Sequence, residues 1–160
     1  MGISEKMNEL ERALKKANIT FELNVSLKNK TWLKRGGKTN FWIQPNCKIQ
    51  LQSIIVFLYS KSIQFEIIGY SSNCYFTENY NPIVTISTKK VTDFEIDQNT
   101  IKCGCGYNLM KLSNYCINNG ISGYEGFIGL PGTVGGAAIN NAGSYGSIMS
   151  EVVKSVELLK

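Results

Sequence analysis

An α+β fold is the class this sequence predicts, and three observations predict it. Residues 39–69 read as strand, helix and strand in succession. Residues 83–104 then carry three short apolar segments divided by turn chemistry. Helical spacing returns at 108–119, so strands and helices neither segregate fully nor alternate regularly. With 160 residues the chain forms one domain, or two small subdomains sharing a ligand. A chain of this size buries about two thirds of its unfolded surface, enough for a real core.

Taken in order, Ser4 to Lys16 places Met7, Leu10, Ala13, Leu14 and Ala17 at helical spacing. Ser4 is the expected N-cap, with acids early and bases late as the helix dipole prefers. Phe21 to Leu27 alternates as a strand, and Gly36-Gly37 breaks the chain. Thr39 to Ile43 resumes a strand that Pro45 ends. Asn46 is expected to cap a helix with a stripe of Leu51, Ile54, Ile55 and Leu58. Phe65 to Ile68 is a short buried strand, so residues 39–69 are expected to form a parallel β-α-β unit. Ile83 to Ile86, Phe94 to Ile96 and Thr100 to Gly104 are further strands, with Asp97-Gln98-Asn99 as the turn between the last two. Asn108 to Asn119 is a helix with Leu109, Leu112 and Cys116 on one face, closed by Gly120. Val152 to Leu159 alternates again and is expected to be a strand paired with other chain.

Composition removes several functions. No apolar run reaches membrane-spanning length, and the N-terminus, with Glu5, Glu9 and Glu11, has no signal-peptide pattern. A cytoplasmic location is the default expectation. There is no histidine, which removes His-based catalysis and any His-linked cofactor. Five cysteines make an odd count, and Cys103-Gly104-Cys105 lacks the spacing of a zinc site, so two thiols buried in a sheet are expected. The net charge of +5 is scattered. Lys28, Lys30, Trp32, Lys34 and Arg35 are a weak version of a nucleic-acid stripe; a solvated strand edge kept from pairing by lysines explains them better. A mild positive bias also suits a phosphate-bearing ligand.

The chemistry concentrates in Gly126 to Gly146, GFIGLPGTVGGAAINNAGSYG, which holds seven of the fifteen glycines and no charged residue. Glycine permits positive φ and close approach of backbone to ligand, so a large rigid ligand is expected on this surface. Pro131-Gly132 makes a turn, and Thr133 can cap a short helix whose first N–H groups would bind phosphate. The Gly135-Gly136 face admits a flat ring or a pyrophosphate, or else serves close helix packing. Gly143 to Gly146 is a second turn, with Ser144 and Tyr145 able to touch ring edges. Gly69-Tyr70-Ser71-Ser72-Asn73 follows a strand at once, where phosphate-binding turns sit in α/β units.

Gly129 to Ala137 followed by Asn141 to Gly146 resembles the signature of the UDP-N-acetylenolpyruvoylglucosamine reductases of the MurB type. Ile68 to Asn73 resembles that family's GxGSN loop, and Thr31 to Gly37 its TTFRIGG segment. The order and spacing of all three agree over roughly residues 20 to 160. The resemblance implies an α+β protein of two small subdomains with an FAD-binding (PCMH/MurB-like, vanillyl-alcohol-oxidase-like) fold and no third, substrate domain. Its divisions would be an N-terminal helix over 1–19, a first subdomain over 20–88 and a second over 89–160. It implies non-covalent FAD held by Gly69, Tyr70, Ser71, Ser72, Asn73, Leu130, Pro131, Gly132, Thr133, Gly135, Gly136, Ile139, Gly143, Ser144 and Tyr145, with the last three near the isoalloxazine ring. The complete family enzyme takes hydride from NADPH and reduces the enolpyruvyl ether of UDP-N-acetylglucosamine in peptidoglycan precursor synthesis.

The departures matter too. The family's catalytic Arg, Ser and Glu lie beyond the strand at which these residues stop, so no catalytic residue and no metal ligand is assigned. Ser71 replaces the second glycine of the first loop; if the position needs positive φ, serine costs about 1 kcal/mol there, and glycine is expected to tighten FAD binding. Lys34 replaces the usual Arg, keeping the charge but losing the planar fork. Three functions follow: the FAD-binding portion of a MurB-type reductase, a stand-alone flavin redox or carrier protein, or a non-catalytic remnant. A C-terminal catalytic half or a second copy of the chain is the expected partner, since Phe127, Ile128 and Tyr145 would otherwise stand unshielded.

Overall fold

The computed structural model describes residues 2–98 and 100–159. Its centre is a four-stranded sheet in the order β1-β2-β4-β3, with β1 at Thr20–Ser26, β2 at Lys38–Gln44, β3 at Phe65–Ile68 and β4 at Val84–Ser87. β1 and β2 are antiparallel, and β4 runs parallel to both β2 and β3. The expected strand–helix–strand unit over 39–69 therefore exists with its two strands separated by β4. The reason is in the sequences of the strands. All four residues of β4 are buried, which suits a central strand, while β3 exposes Glu66 and Ile67 and takes the edge.

Two helices cover one face of this sheet. Leu10 and Leu14 of α1 (Ile3–Lys16) and Ile54, Ile55 and Leu58 of α2 (Lys48–Ser60) pack against Phe41, Ile43, Val84 and Ile86. Both helices start differently from expectation. Gly2 is the N-cap of α1, with extended φ −70 and ψ 159, so Ser4 lies inside the first turn. Cys47 rather than Asn46 precedes α2, and the Asn46 N–H instead donates to Gln50 Oε1 at 3.0 Å. The other face buries Trp42 and Ile68 against Leu27, Val25 and Phe76. Two irregular segments, roughly 27–37 and 69–82, cover it. The first is not a strand edge as expected. Lys34 and Gly36 take φ of +50 and +128, away from the extended backbone of a regular strand, and Thr31 Oγ1 donates to the Arg35 carbonyl at 2.8 Å to close the loop.

The remaining chain forms a second apolar cluster of Leu109, Phe127, Ala137 and Met149. β5 (Phe94–Asp97) and β6 (Thr100–Cys103) pair as an antiparallel hairpin. Gln98 in their turn has φ +50; Asn99 lies outside the described residues. α3 (Leu109–Asn118) is capped at both ends, at its C-terminus by the Gly120 read from sequence; Asn108, expected inside the helix, is its N-cap. The Asn108 side chain accepts from Lys111 N, and Gly120 at φ +69 carries paired 5→2 and 6→1 hydrogen bonds, Gly120 N to Ile117 O and Ile121 N to Cys116 O. α4 (Val134–Ile139) follows, then the two-residue strands β7 (Gly143–Ser144) and β8 (Ser147–Ile148), and α5 (Met149–Val152).

Two expectations fail here for clear physical reasons. Val152 to Leu159 is not a strand: Val152 ends α5 and residues 153–159 join no ladder among the described residues. Alternation supplies only one face of a strand; the backbone also needs a partner. Phe127 is not an unshielded surface residue but is fully buried. No helix among the described residues is long and apolar enough to cross a membrane.

Cys103 and Cys105 are partly buried, with Cys105 one turn beyond the end of β6, while Cys116 is fully buried. Burial, then the nearby Cys103 and Glu125, pushes the Cys116 thiol up to about 11 from an ordinary 9.0. The folded protein thus holds this proton after the unfolded chain has released it. Stability from this group is complete below pH 9 and is lost as pH rises toward 11. Urea unfolding at pH 8 and at about pH 10 is expected to show a smaller loss in Cys116→Ala than in the parent.

Candidate functional site

The turn at Gly69–Asn73 and the segment Pro131–Thr133, sixty residues apart in sequence, are in contact. Ser72 Oγ donates to the Pro131 carbonyl at 2.7 Å. A Cβ on Gly69 would strike Thr133 Oγ1 and lie 3.0 Å from its Cγ2 and 3.2 Å from its Cβ. Glycine is needed at 69 for that approach. β3 delivers the turn and the isolated bridge between Asn108 and Thr133 fixes the second segment, through Leu109 N to Gly132 O at 3.1 Å and Val134 N to Tyr107 O at 2.9 Å.

Accounting for backbone donors separates what can bind from what merely supports. The helix start expected to bind phosphate is already satisfied. Val134 N donates to Tyr107 O, Gly135 N to Cys105 O, Gly136 N to the Thr133 hydroxyl and Ala137 N to Thr133 O. Thr133 is the N-cap read from sequence, but it spends its acceptor on the helix. Gly135 serves packing: a Cβ there would sit 2.7 Å from Cys105 Cβ. Among the described residues, the N–H groups of Tyr70, Ser71, Ser72, Asn73, Gly132 and Thr133 have no hydrogen-bond acceptor. These N–H groups are left to bond water or a ligand.

Ser71 is the strained member, with φ +55, and is buried. Its hydroxyl donates to Tyr70 O at 2.6 Å and accepts from Trp32 N at 3.0 Å. Serine therefore trades the backbone cost for a bond that ties the 31–35 loop to the turn. Glycine at 71 would relieve about 1 kcal/mol of strain and forfeit a bond of about the same value, so the gain expected from sequence disappears. Ser71→Ala keeps the strain and orphans the Trp32 N–H. It is expected to lower stability by about 1–3 kcal/mol, measurable as a shift of the urea midpoint.

Sequence reasoning named Lys30 and Lys34 but missed Lys89, the third cation beside this turn. A cleft of about 460 Å³ beside it is lined by Lys30, Lys34 and Lys89, with Trp32, Tyr70, Asn29 and Thr31. Lys89 Nζ donates to the Lys30 carbonyl at 3.1 Å and lies 5.6 Å from the Tyr70 ring centroid. Burial, then the charge of Lys30, lowers its ammonium below the ordinary 10.5. No motif marks Lys89; only the end of β4 brings it here.

The second turn of the glycine stretch is a two-residue hairpin. Tyr145 and Gly146, with φ +46 and +85, join β7 to β8 in the manner of a type I′ turn. Tyr145 is 98% exposed at the tip, so it is no core aromatic, and Ile139 is 86% exposed and Ile128 51%. Ser144 is partly buried, and Gly143 backs onto Ile148. Leu130 packs against the Phe127 cluster.

Comparison with known proteins agrees with this fold. The model of the family described as FAD binding domain matches residues 39–160. A UDP-N-acetylenolpyruvoylglucosamine reductase of Caldicellulosiruptor saccharolyticus is 34% identical over 151 residues, covering 94% of this chain and 49% of that protein. The crystal structure of the Thermus caldophilus enzyme of the same name (MurB) superposes with a TM-score of 0.65 at 25% identity, over 82% of this chain and 46% of that one. A Physcomitrella patens BBE-like 1 variant shares the fold alone, at 14% identity and TM-score 0.60 over 89% of this chain and 34% of that one. The chain thus spans about half the length of the curated relatives it matches.

Proposed function

The chain belongs to the FAD binding domain family, and from that premise we propose that it is the FAD-holding portion of a MurB-type UDP-N-acetylenolpyruvoylglucosamine reductase. The observation that carries the proposal is the contact of the Gly69–Asn73 turn with Pro131–Thr133, leaving six N–H groups turned to no protein acceptor. These donors fit an anionic group of pyrophosphate size. Gly132, whose added Cβ would stand 3.6 Å from Ser72 Oγ, leaves room for close approach.

FAD, when bound, supplies hydride acceptance and delivery at its ring nitrogen N5, the cofactor's own reactivity. The chain's residues bind and orient it. Tyr70 to Asn73 with Gly132 and Thr133 receive the phosphates; Gly136 and Leu130 flank that surface; Ile139, Gly143, Ser144 and Tyr145 lie toward the ring. Gly69 and Gly135 bring these elements together rather than touching the ligand. In the complete reductase NADPH would be the hydride donor and the enolpyruvyl ether of UDP-N-acetylglucosamine the acceptor, in peptidoglycan precursor synthesis in the cytoplasm. No residue of the chain is assigned as general acid for that step. A C-terminal half carrying the substrate residues is the proposed partner, and exposed Ile128, Ile139 and Tyr145 are the surface it would cover. The two apolar clusters, one within residues 7–86 and one within 109–153, support the proposed division near residue 88.

The test is the absorbance spectrum of the purified protein. Flavin bands, or their recovery after refolding with FAD, are expected. A protein that stays colourless after refolding with FAD would refute the proposal.

A further inference from the structure

We propose that the outer face of α2 and the free edge of β3 form one docking surface whose occupant is a second copy of this chain, joined edge to edge about a twofold axis. This surface is other than that of Ile128, Ile139 and Tyr145, and the inference does not rest on the FAD reading.

A helix on the outside of a protein normally turns a charged face to water. α2 has one charged residue among thirteen, Lys48 at its start. Ile54, Ile55 and Leu58 go to the core, yet Ile49, Val56 and Tyr59 are 76%, 57% and 71% exposed. With Gln52 they fall at intervals of three, four and three residues, the spacing of a helix–helix seam. The stripe continues onto the sheet. The Tyr59 ring meets that of Phe65 edge-on at 5.4 Å between centroids. Ile67, two residues on and so on the same face of β3, is half-exposed beyond it. β3 pairs with β4 alone, and among the described residues no backbone hydrogen bond reaches its other edge.

These features select the occupant. The unpaired N–H and C=O groups of an edge strand are matched by another strand edge, which a lipid surface does not offer. The patch also has no free charge for a charged partner to meet. Lys48 is paired with Glu157 and Lys61 with Glu9. Glu66 points to the opposite face of β3, where the Tyr80 hydroxyl donates to it. A chain of net charge +5 can therefore meet its own copy here without like-charge repulsion. A twofold axis normal to the sheet beside Ile67 sets that residue against its own copy in an antiparallel pair. The same rotation brings the two α2 helices together on one side of the joined sheet. One operation thus satisfies the strand edge and covers the apolar stripe.

Sedimentation velocity over about 1–300 µM is expected to show a reversible monomer–dimer equilibrium with a dissociation constant on the order of 10 µM, as suits a small interface. Val56→Lys and Ile67→Lys should each weaken it by about tenfold or more. Leu23→Lys, at a half-exposed leucine on the opposite edge strand β1, should match the parent. Ile67→Cys, in a Cys74→Ser background that removes the exposed native thiol, should give a disulfide-linked dimer with diamide, and Leu23→Cys in that background should not. Thermal melts verify that each variant is folded. A chain that sediments as a monomer throughout overturns the proposal; Val56-dependent binding of that monomer to phosphatidylcholine vesicles, or to a C-terminal half, would name a different occupant. A dimer untouched by both lysine variants, or one that Leu23→Lys dissociates, overturns it as well. A dimer in which Ile67→Cys does not cross-link overturns the edge-to-edge arrangement.

Discussion

Gly69→Ala is expected to weaken FAD binding by about tenfold to a hundredfold, the range of 1–3 kcal/mol that an inserted methyl group costs in a close-packed contact. The added Cβ meets three atoms of Thr133, so no single rotation of that side chain clears it. Thr133 is also the N-cap that holds Gly136 N, so moving it frays α4. The turn and the Pro131–Thr133 segment must then part, and the donors on the two sides cease to converge. The control is Gly129→Ala in the same glycine-rich stretch. Nothing lies within 4 Å of its Cβ position and its φ is not in the left-handed region. It should bind FAD like the parent. Fluorescence titration of both variants checks the pair, and equal affinity in Gly69→Ala would remove the geometric basis of the site.

Phe127→Ala is expected to cost about 3–5 kcal/mol of stability, a large share of what a domain of this size possesses. Phe127 is fully buried and anchors the cluster of Leu109, Ala137 and Met149, with Tyr124 edge-on at 6.1 Å between ring centroids. The backbone around it cannot collapse to fill the void. Gly126 is pressed against the Ser144 carbonyl and Ser147 Cβ, and its N–H is fixed to Ser147 Oγ at 3.0 Å. Guanidinium unfolding measures the loss directly. A destabilisation below about 1 kcal/mol would mean that Phe127 is not a core anchor. The same variant also separates stability from binding, because Phe127 lines neither the turn nor the lysine cleft.

Local chemistry was legible where a residue's own backbone or side chain decided the outcome. Thr133 caps α4 and Gly120 closes α3, each through hydrogen bonds within a few residues. What escaped were outcomes settled by a partner elsewhere. The N–H groups at the start of α4 looked free, yet Tyr107 and Cys105 claim them across the isolated bridge. Ser71 looked like a flaw in a glycine loop, yet its hydroxyl holds Trp32. Lys89 carried no signal at all, because its role arises from the end of β4 meeting the 30–34 loop.

By itself the sequence determined that this is an α+β protein with two glycine-bearing loops built for close backbone contact, and it identified the family through them. Those properties follow from spacing, turn chemistry and the absence of side chains, which are written residue by residue. Tertiary structure alone decided which glycines of these loops press against protein neighbours. Gly135 faces Cys105 and Gly69 faces Thr133, while the turn at Tyr70–Asn73 keeps its donors unspent. A glycine reports only that something comes close; what comes close is set by chain sixty residues away.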